Sequence, residues 1–135
     1  MMPSAGKLFR AATRRWLGPT ADPDSIVKVT VRNEEARVVR VLTSERDLAA
    51  FRALWAGLVE VDPRSSRPPP EWRPCYRLSI ERVGRGGRTA HATWFYSPVG
   101  GYIQMLAIIR AVCVAPLYRR PSPDAFEAIL RPEQA

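Results

Sequence analysis

Short runs of β-branched residues that alternate with polar ones, joined by connections of only a few residues, most restrict what this chain can become. Val27, Val29 and Val31 alternate with Lys28, Thr30 and Arg32, the period of a strand with one buried face. Asn33-Glu34-Glu35 supplies turn chemistry, and residues 36–42 read as a second strand that carries Arg37 and Arg40. Residues 75–83 read as a third, with Tyr76, Leu78 and Ile80 on one face and Arg77, Ser79 and Glu81 on the other. Gly84-Arg85-Gly86-Gly87-Arg88 is a hairpin loop. Residues 89–96 follow as a fourth strand, with Ala90, Ala92, Trp94 and Tyr96 opposed to Thr89, His91, Thr93 and Phe95. Residues 97–101 turn the chain again, into a fifth strand at 102–106. Parallel neighbours need crossovers of a dozen or more residues, so these connections dictate an antiparallel sheet.

Two helices are expected beside it. Ser44 can cap a helix whose Asp47 stands in capping-box position. Leu48, Phe51, Leu54, Trp55, Leu58 and Val59 then form one continuous stripe, which is core packing. This places Leu54 and Trp55 between helix and sheet. Residues 122–130 form a short closing helix, with Ser122 as cap, Pro123 at its first position and Phe126, Ile129 and Leu130 as its apolar face. Residues 107–118 are ambiguous: their β-branched content favours a strand, but an apolar helix over 102–113 fits nearly as well. The expected fold is α+β: an antiparallel sheet of about five strands in the order ββαβββ(β)α, with two helices on one face. Residues 22–135 form that single domain, and 1–21 form a basic extension.

The extension has a pattern of its own. Leu8, Phe9, Ala12 and Trp16 share one side of a helix over 4–17, and Lys7, Arg10 and Arg14 share the other, before Gly18-Pro19 stops it. Such a helix suits an anionic membrane surface or an organellar transit segment. The plainer reading is that its apolar side docks on the domain. No apolar run approaches the roughly 20 residues that span a bilayer, and no signal-peptide core is present. A cytoplasmic location is therefore expected. Cys75 and Cys113 lie in no C-x-x-C pair and are expected to be free thiols.

Charge is unevenly placed. The net charge is +8, and 19 of the 21 basic residues are arginines. Residues 1–20 carry +4 with no acid, residues 21–62 carry −2, and residues 63–90 carry +5. A high isoelectric point suits an acidic protein, a nucleic acid or an anionic membrane, although an arginine-rich host composition raises it without any partner. The +5 block holds the proline-rich segment 60–74, which has five prolines and carries Arg64, Arg67, Trp72 and Arg73. Pro68-Pro69-Pro70 favours an extended, rather stiff backbone, which loses little entropy on binding. Arg77 lies on the polar strand face, and Arg85 and Arg88 lie at the hairpin tip.

Catalytic chemistry finds little footing. His91 is the single histidine and has no nucleophile at a telling spacing. No His, Cys, Asp or Glu set has metal-ligand spacing. The glycine loop 84–88 lacks the phosphate-cradle order and opens no helix. No enzyme, cofactor or metal is expected. In size, single-domain build and lack of an evident active site, residues 26–130 resemble the small bacterial immunity proteins that block toxins. The resemblance is one of architecture and implies stoichiometric contact with an acidic protein. The residues expected to make that contact are Arg64, Arg67, Trp72, Arg73, Arg77, Arg85, Arg88 and Phe95. The same arginines and Phe95 would serve the alternative, a nucleic-acid-binding module.

Overall fold

The structure is a computed structural model and describes residues 5–62, 65–106, 108–109, 112–113, 115–121 and 123–131. Its elements in chain order are α1 (Ala5–Ala12), β1 (Ile26–Arg32), β2 (Val38–Leu42), α2 (Glu45–Ala56), β3 (Val59–Glu60), β4 (Tyr76–Val83), β5 (Thr89–Ser97), β6 (Tyr102–Met105), β7 (Ile108–Ile109), β8 (Val112–Cys113), β9 (Leu117–Arg119) and α3 (Pro123–Leu130). Seven strands form one sheet in the order β2-β1-β4-β5-β6-β9-β3, and β7 and β8 pair separately. All pairings are antiparallel. The class is the expected α+β, but the sheet has seven strands where about five were expected. The additions are β3 and β9, strands of two and three residues, too short to show periodicity.

Local chemistry explains the main elements. The β1–β2 turn is built on Asn33, whose side-chain oxygen accepts from the Glu35 and Arg37 amides at 3.0 Å. Ala36 adopts a positive φ there, so the second strand starts at Val38 and not at residue 36. Ser44 Oγ accepts from the Asp47 amide at 3.2 Å and caps α2 as expected. The β5–β6 turn needs its glycines: Gly100 and Gly101 have φ of 79° and 74°, and a Cβ on Gly101 would lie 2.6 Å from the Arg120 side chain.

The core lies between the sheet and α2 with α3. Leu48, Phe51 and Trp55 of α2 are buried together with Val29, Val31, Leu78, Ile80 and Trp94 of the sheet. Trp55 meets Trp94 edge to face, with centroids 4.8 Å apart. Phe126 of α3 packs on Tyr96 at 5.0 Å. Both helices thus cover the same sheet face. Across the register, Arg32, Arg77, Phe95 and Gln104 form one row of the opposite face, and Lys28, Glu81 and His91 form another. Gln104 is covered there, because its amide donates to the Ser66 and Ala115 carbonyls at 2.6 and 3.0 Å. Farther along, the face meets solvent at Lys28, Arg77 and His91.

Three expectations about facing are corrected. Val27 is exposed and Ile26 buried. The pairing shifts between Ile26 and Lys28, and the extra residue of a bulge turns outward. Val59 leaves the helical stripe: α2 ends at Ala56, and Val59 stands in β3, 62% exposed. Leu54 is only half-buried, while Trp55 is fully so. The cap assigned to Ser122 and the side chain of Cys113 lie outside the described residues and side chains.

The extension is fastened at its C-terminal end. Leu17 packs on the core, and Thr13, Gly18, Pro19 and Ala21 are buried. The fastener is Arg82, on the helix side of β4 and 4% exposed. Its guanidinium donates to the carbonyls of Leu17, Gly18 and Asp22 and to Ser25 Oγ, at 2.8 to 3.3 Å. Burial lowers its pKa, and the Asp22 carboxylate opposes that shift.

Candidate functional site

The arginines divide by what they hold. Arg82 gathers the linker carbonyls. Arg52 donates from Nε and Nη2 to the Ile26 carbonyl and from Nη1 to Glu45 at 2.6 Å, pinning α2 to the start of β1. Arg40 reaches Asp47 and the carbonyls of Ala128 and Arg131, at 3.4 Å each, and so bridges β2, α2 and the end of α3. Arg120 Nε donates to the Tyr96 hydroxyl at 2.7 Å, and that hydroxyl lies 3.1 Å from Glu127 Oε1. These groups serve the fold. In contrast, Arg67, Arg73, Arg77, Arg85 and Arg88 are exposed and make no ion pair among the described residues.

Three of the expected site residues meet in one place. Arg73, Arg77 and Phe95 line an open cleft of about 370 Å³ together with Asn33, Glu34, Pro74, Cys75 and Tyr76. The β4–β5 register sets Arg77 opposite Phe95, and the guanidinium carbon stands 5.5 Å from the ring centroid, within cation–π range. The backbone at Arg73 is fixed too, since its amide donates to Ser97 Oγ at 2.9 Å. The cleft is therefore built on strands and on a tethered loop end. From sequence, Asn33 and Glu34 read only as a turn and Cys75 only as a free thiol, not as parts of a site. What brings Asn33 and Glu34 there is the pairing of β1 with β4, which are separated in sequence by β2, α2 and the proline-rich segment.

The pKa of the Cys75 thiol is pushed above its ordinary value. A hydrogen bond with Glu34 raises its pKa, burial and the Glu34 charge add to this, and Arg73 opposes it. Cys75 Sγ donates to the Arg73 carbonyl at 3.5 Å. It is a free thiol in the structure.

The remaining expected residues stand elsewhere. Arg85 and Arg88 occupy the tip of the β4–β5 hairpin, six strand residues beyond Arg77, a distance of roughly 20 Å. Arg67 is exposed and Trp72 half-buried in the proline-rich segment. That segment is tied down at Ser66, through Gln104, and at Glu71, whose carboxylate accepts from the Tyr102 hydroxyl at 3.3 Å. Arg64 lies outside the described residues. His91 is exposed on β5, paired in register with Glu81. Among the described residues there is no group of three or more His, Cys, Asp or Glu side chains placed to hold a metal, and no helix is long and apolar enough to cross a membrane.

Comparison with known proteins finds no family model, no curated protein and no solved structure that matches the chain.

Proposed function

We propose that this chain is a non-catalytic binding module, an inhibitor or immunity-type protein that holds an acidic partner protein stoichiometrically. The Arg73–Arg77–Phe95 cleft is the centre of the contact, with Arg67 and Trp72 of the proline-rich segment and, roughly 20 Å along the hairpin, the tip arginines Arg85 and Arg88 as outlying contacts. The observation that carries this reading is the division of the arginines. The described arginines of the +5 segment other than Arg82, namely Arg67, Arg73, Arg77, Arg85 and Arg88, are exposed and make no ion pair among the described residues, whereas Arg40, Arg52, Arg82 and Arg120 are committed to the fold. Arginine beside an aromatic ring on a rigid strand is the composition of a binding hot spot. A protein partner is favoured over nucleic acid because Arg77 already occupies the Phe95 ring, so a base would have to displace it to stack.

The test is affinity capture on the intact protein beside two variants, Arg73→Gln/Arg77→Gln and Arg85→Gln/Arg88→Gln. Both variants should melt close to wild type, because exposed charges contribute little to folding. The first should lose a specific partner and the second should slow its association, since rim charges act mainly on the on-rate. A partner held equally by all three proteins would remove the cleft from the contact. Tight, steeply salt-dependent binding of random oligonucleotides, lost in the same variants, would replace the reading by the nucleic-acid one.

A further inference from the structure

The side of the N-terminal helix expected to dock on the domain is left bare. The contact with the domain runs instead through Thr13, which is buried, and Leu17, which packs on the core. Leu8, Ala12 and Trp16 recur at i, i+4 and i+8 on a different side and are all exposed, Leu8 by 56% and Trp16 by 63%. Trp16 has the highest exposure of the large hydrophobic side chains described. The side chain of Phe9, expected on the same stripe, is outside those described.

The charges around the stripe share one sign. Residues 1–20 hold Lys7, Arg10, Arg14 and Arg15 and no acid. Lys7 and Arg15 are exposed, and the Arg15 guanidinium carbon stands 4.7 Å from the Trp16 ring centroid. An indole with a guanidinium beside it suits the headgroup level of a bilayer, where the ring meets acyl chains and the cation meets phosphate. The anchor completes the arrangement. Arg82 fixes the chain at Leu17 and Gly18, so the helix projects from a fastened point and is not left as a free tail.

We propose that α1 and the turn following it form a peripheral membrane contact, with Leu8 and Trp16 inserted among the acyl chains of an anionic bilayer and Lys7 and Arg15 at its headgroups. Charge complementarity selects this occupant: an apolar stripe with Lys7 and Arg15 exposed beside it, in a segment of sequence with four basic residues and no acid, matches an anionic lipid surface. The contact uses no residue of the Arg73–Arg77–Phe95 cleft and stands apart from the proposed function.

Co-sedimentation of the full chain with vesicles tests it, using phosphatidylcholine alone and phosphatidylcholine containing a quarter phosphatidylglycerol. The wild type should pellet with the anionic vesicles, be released by high salt, and stay in solution with the neutral ones. Leu8→Ser/Trp16→Ser should lower the partition coefficient by at least about tenfold through lost apolar burial, with an unchanged thermal melt. Arg15→Gln should lower it about fivefold, the worth of one cation near an anionic surface. The Arg73→Gln/Arg77→Gln variant should pellet like the wild type. Failure to pellet with anionic vesicles overturns the proposal. So does unchanged pelleting of the Leu8→Ser/Trp16→Ser variant, which would move the contact to the domain's arginines. Equal pelleting with neutral vesicles refutes the charge argument, and capture of a protein on this stripe without vesicle binding gives the surface a different occupant.

Discussion

Arg82 and Tyr96 show how single polar groups are kept inside this fold. Arg82 stands where the alternation of β4 calls for an apolar side chain, and four oxygens of the linker 17–25 surround its guanidinium. A shorter amide with two N–H groups cannot reach all four, so replacing the guanidinium leaves some of those buried acceptors without a donor. Arg82→Gln should therefore cost about 2–4 kcal/mol, read from urea unfolding, and hydrogen exchange at residues 17–25 should accelerate. A variant as stable as wild type would mean that the linker carbonyls find other donors. Tyr96 is fully buried, and its hydroxyl joins Arg120 and Glu127. Burial pushes its pKa up to about 12, against the pull of Arg120. The sign follows from the unfolded chain, where the phenol ionises near 10. Below pH 10 both states are protonated and the stabilisation is whole. From pH 10 to 12 the unfolded state loses its proton first, and stability falls by about 2–3 kcal/mol from this group. Tyr96→Phe lacks that titration, so the stability difference between wild type and variant should shift in favour of the variant across this window. A constant difference would show that Tyr96 is not the titrating group.

Among the elements, α2 was the most legible, and its buried side separates two neighbouring residues. Trp55 packs between Phe51 and Trp94, whereas Leu54 is half-buried toward α3 and lines a groove with Ala50, Ala53 and Ala125. Trp55→Ala should cost about 3–5 kcal/mol, and Leu54→Ala clearly less, by chemical denaturation. Equal costs would place both residues in the same environment. The stripe spacing alone could not rank them, because it reports a side of the helix and not what covers it. The same limit applies to Val27 and Val59. Period two assumes an uninterrupted ladder, and the bulge at Val27 breaks it. Val59 continues the helical spacing by coincidence after the helix has stopped at Ala56. The alternation of β4 and β5 was legible because both strands pair without a register shift over eight positions. That regularity let Arg77 and Phe95 each be placed, from sequence, on the side of its strand away from Leu78 and Ile80 or Trp94 and Tyr96. Glu34 was missed because nothing local says that β1 pairs with β4.

At the scale of the molecule, the sheet is closed by chain segments far apart in sequence. β3 follows α2 directly, yet among the described residues it sits at the edge of the sheet and pairs with β9, some 60 residues later. β9 also carries the sheet past β6, and α3 then returns to cover Tyr96. Residues 117–131 thus supply buried Leu117, Tyr118, Phe126, Ile129 and Leu130, the strand partner of β3 among the described residues, and Arg120 and Glu127, which meet the Tyr96 hydroxyl. Residues 5–16 contribute much less: of their described side chains, Thr13 alone is buried. The two ends of the chain should therefore respond oppositely to deletion. Removing residues 117–131 strips large side chains worth roughly 1.5–3 kcal/mol each from the core, against a total stability of about 5–15 kcal/mol for a domain. The truncated chain should lose its cooperative thermal transition and its dispersed amide spectrum. Removing residues 1–16 leaves Leu17, Arg82 and the carbonyls it gathers in place, so the melting temperature should change by no more than a few degrees, at about 2–8 °C per kcal/mol lost. Cooperative unfolding of the C-terminal truncation would show that β1, β2, β4, β5 and α2 suffice as a domain. Collapse of the N-terminal truncation would show that the extension belongs to the core and is not an appendage fastened to it.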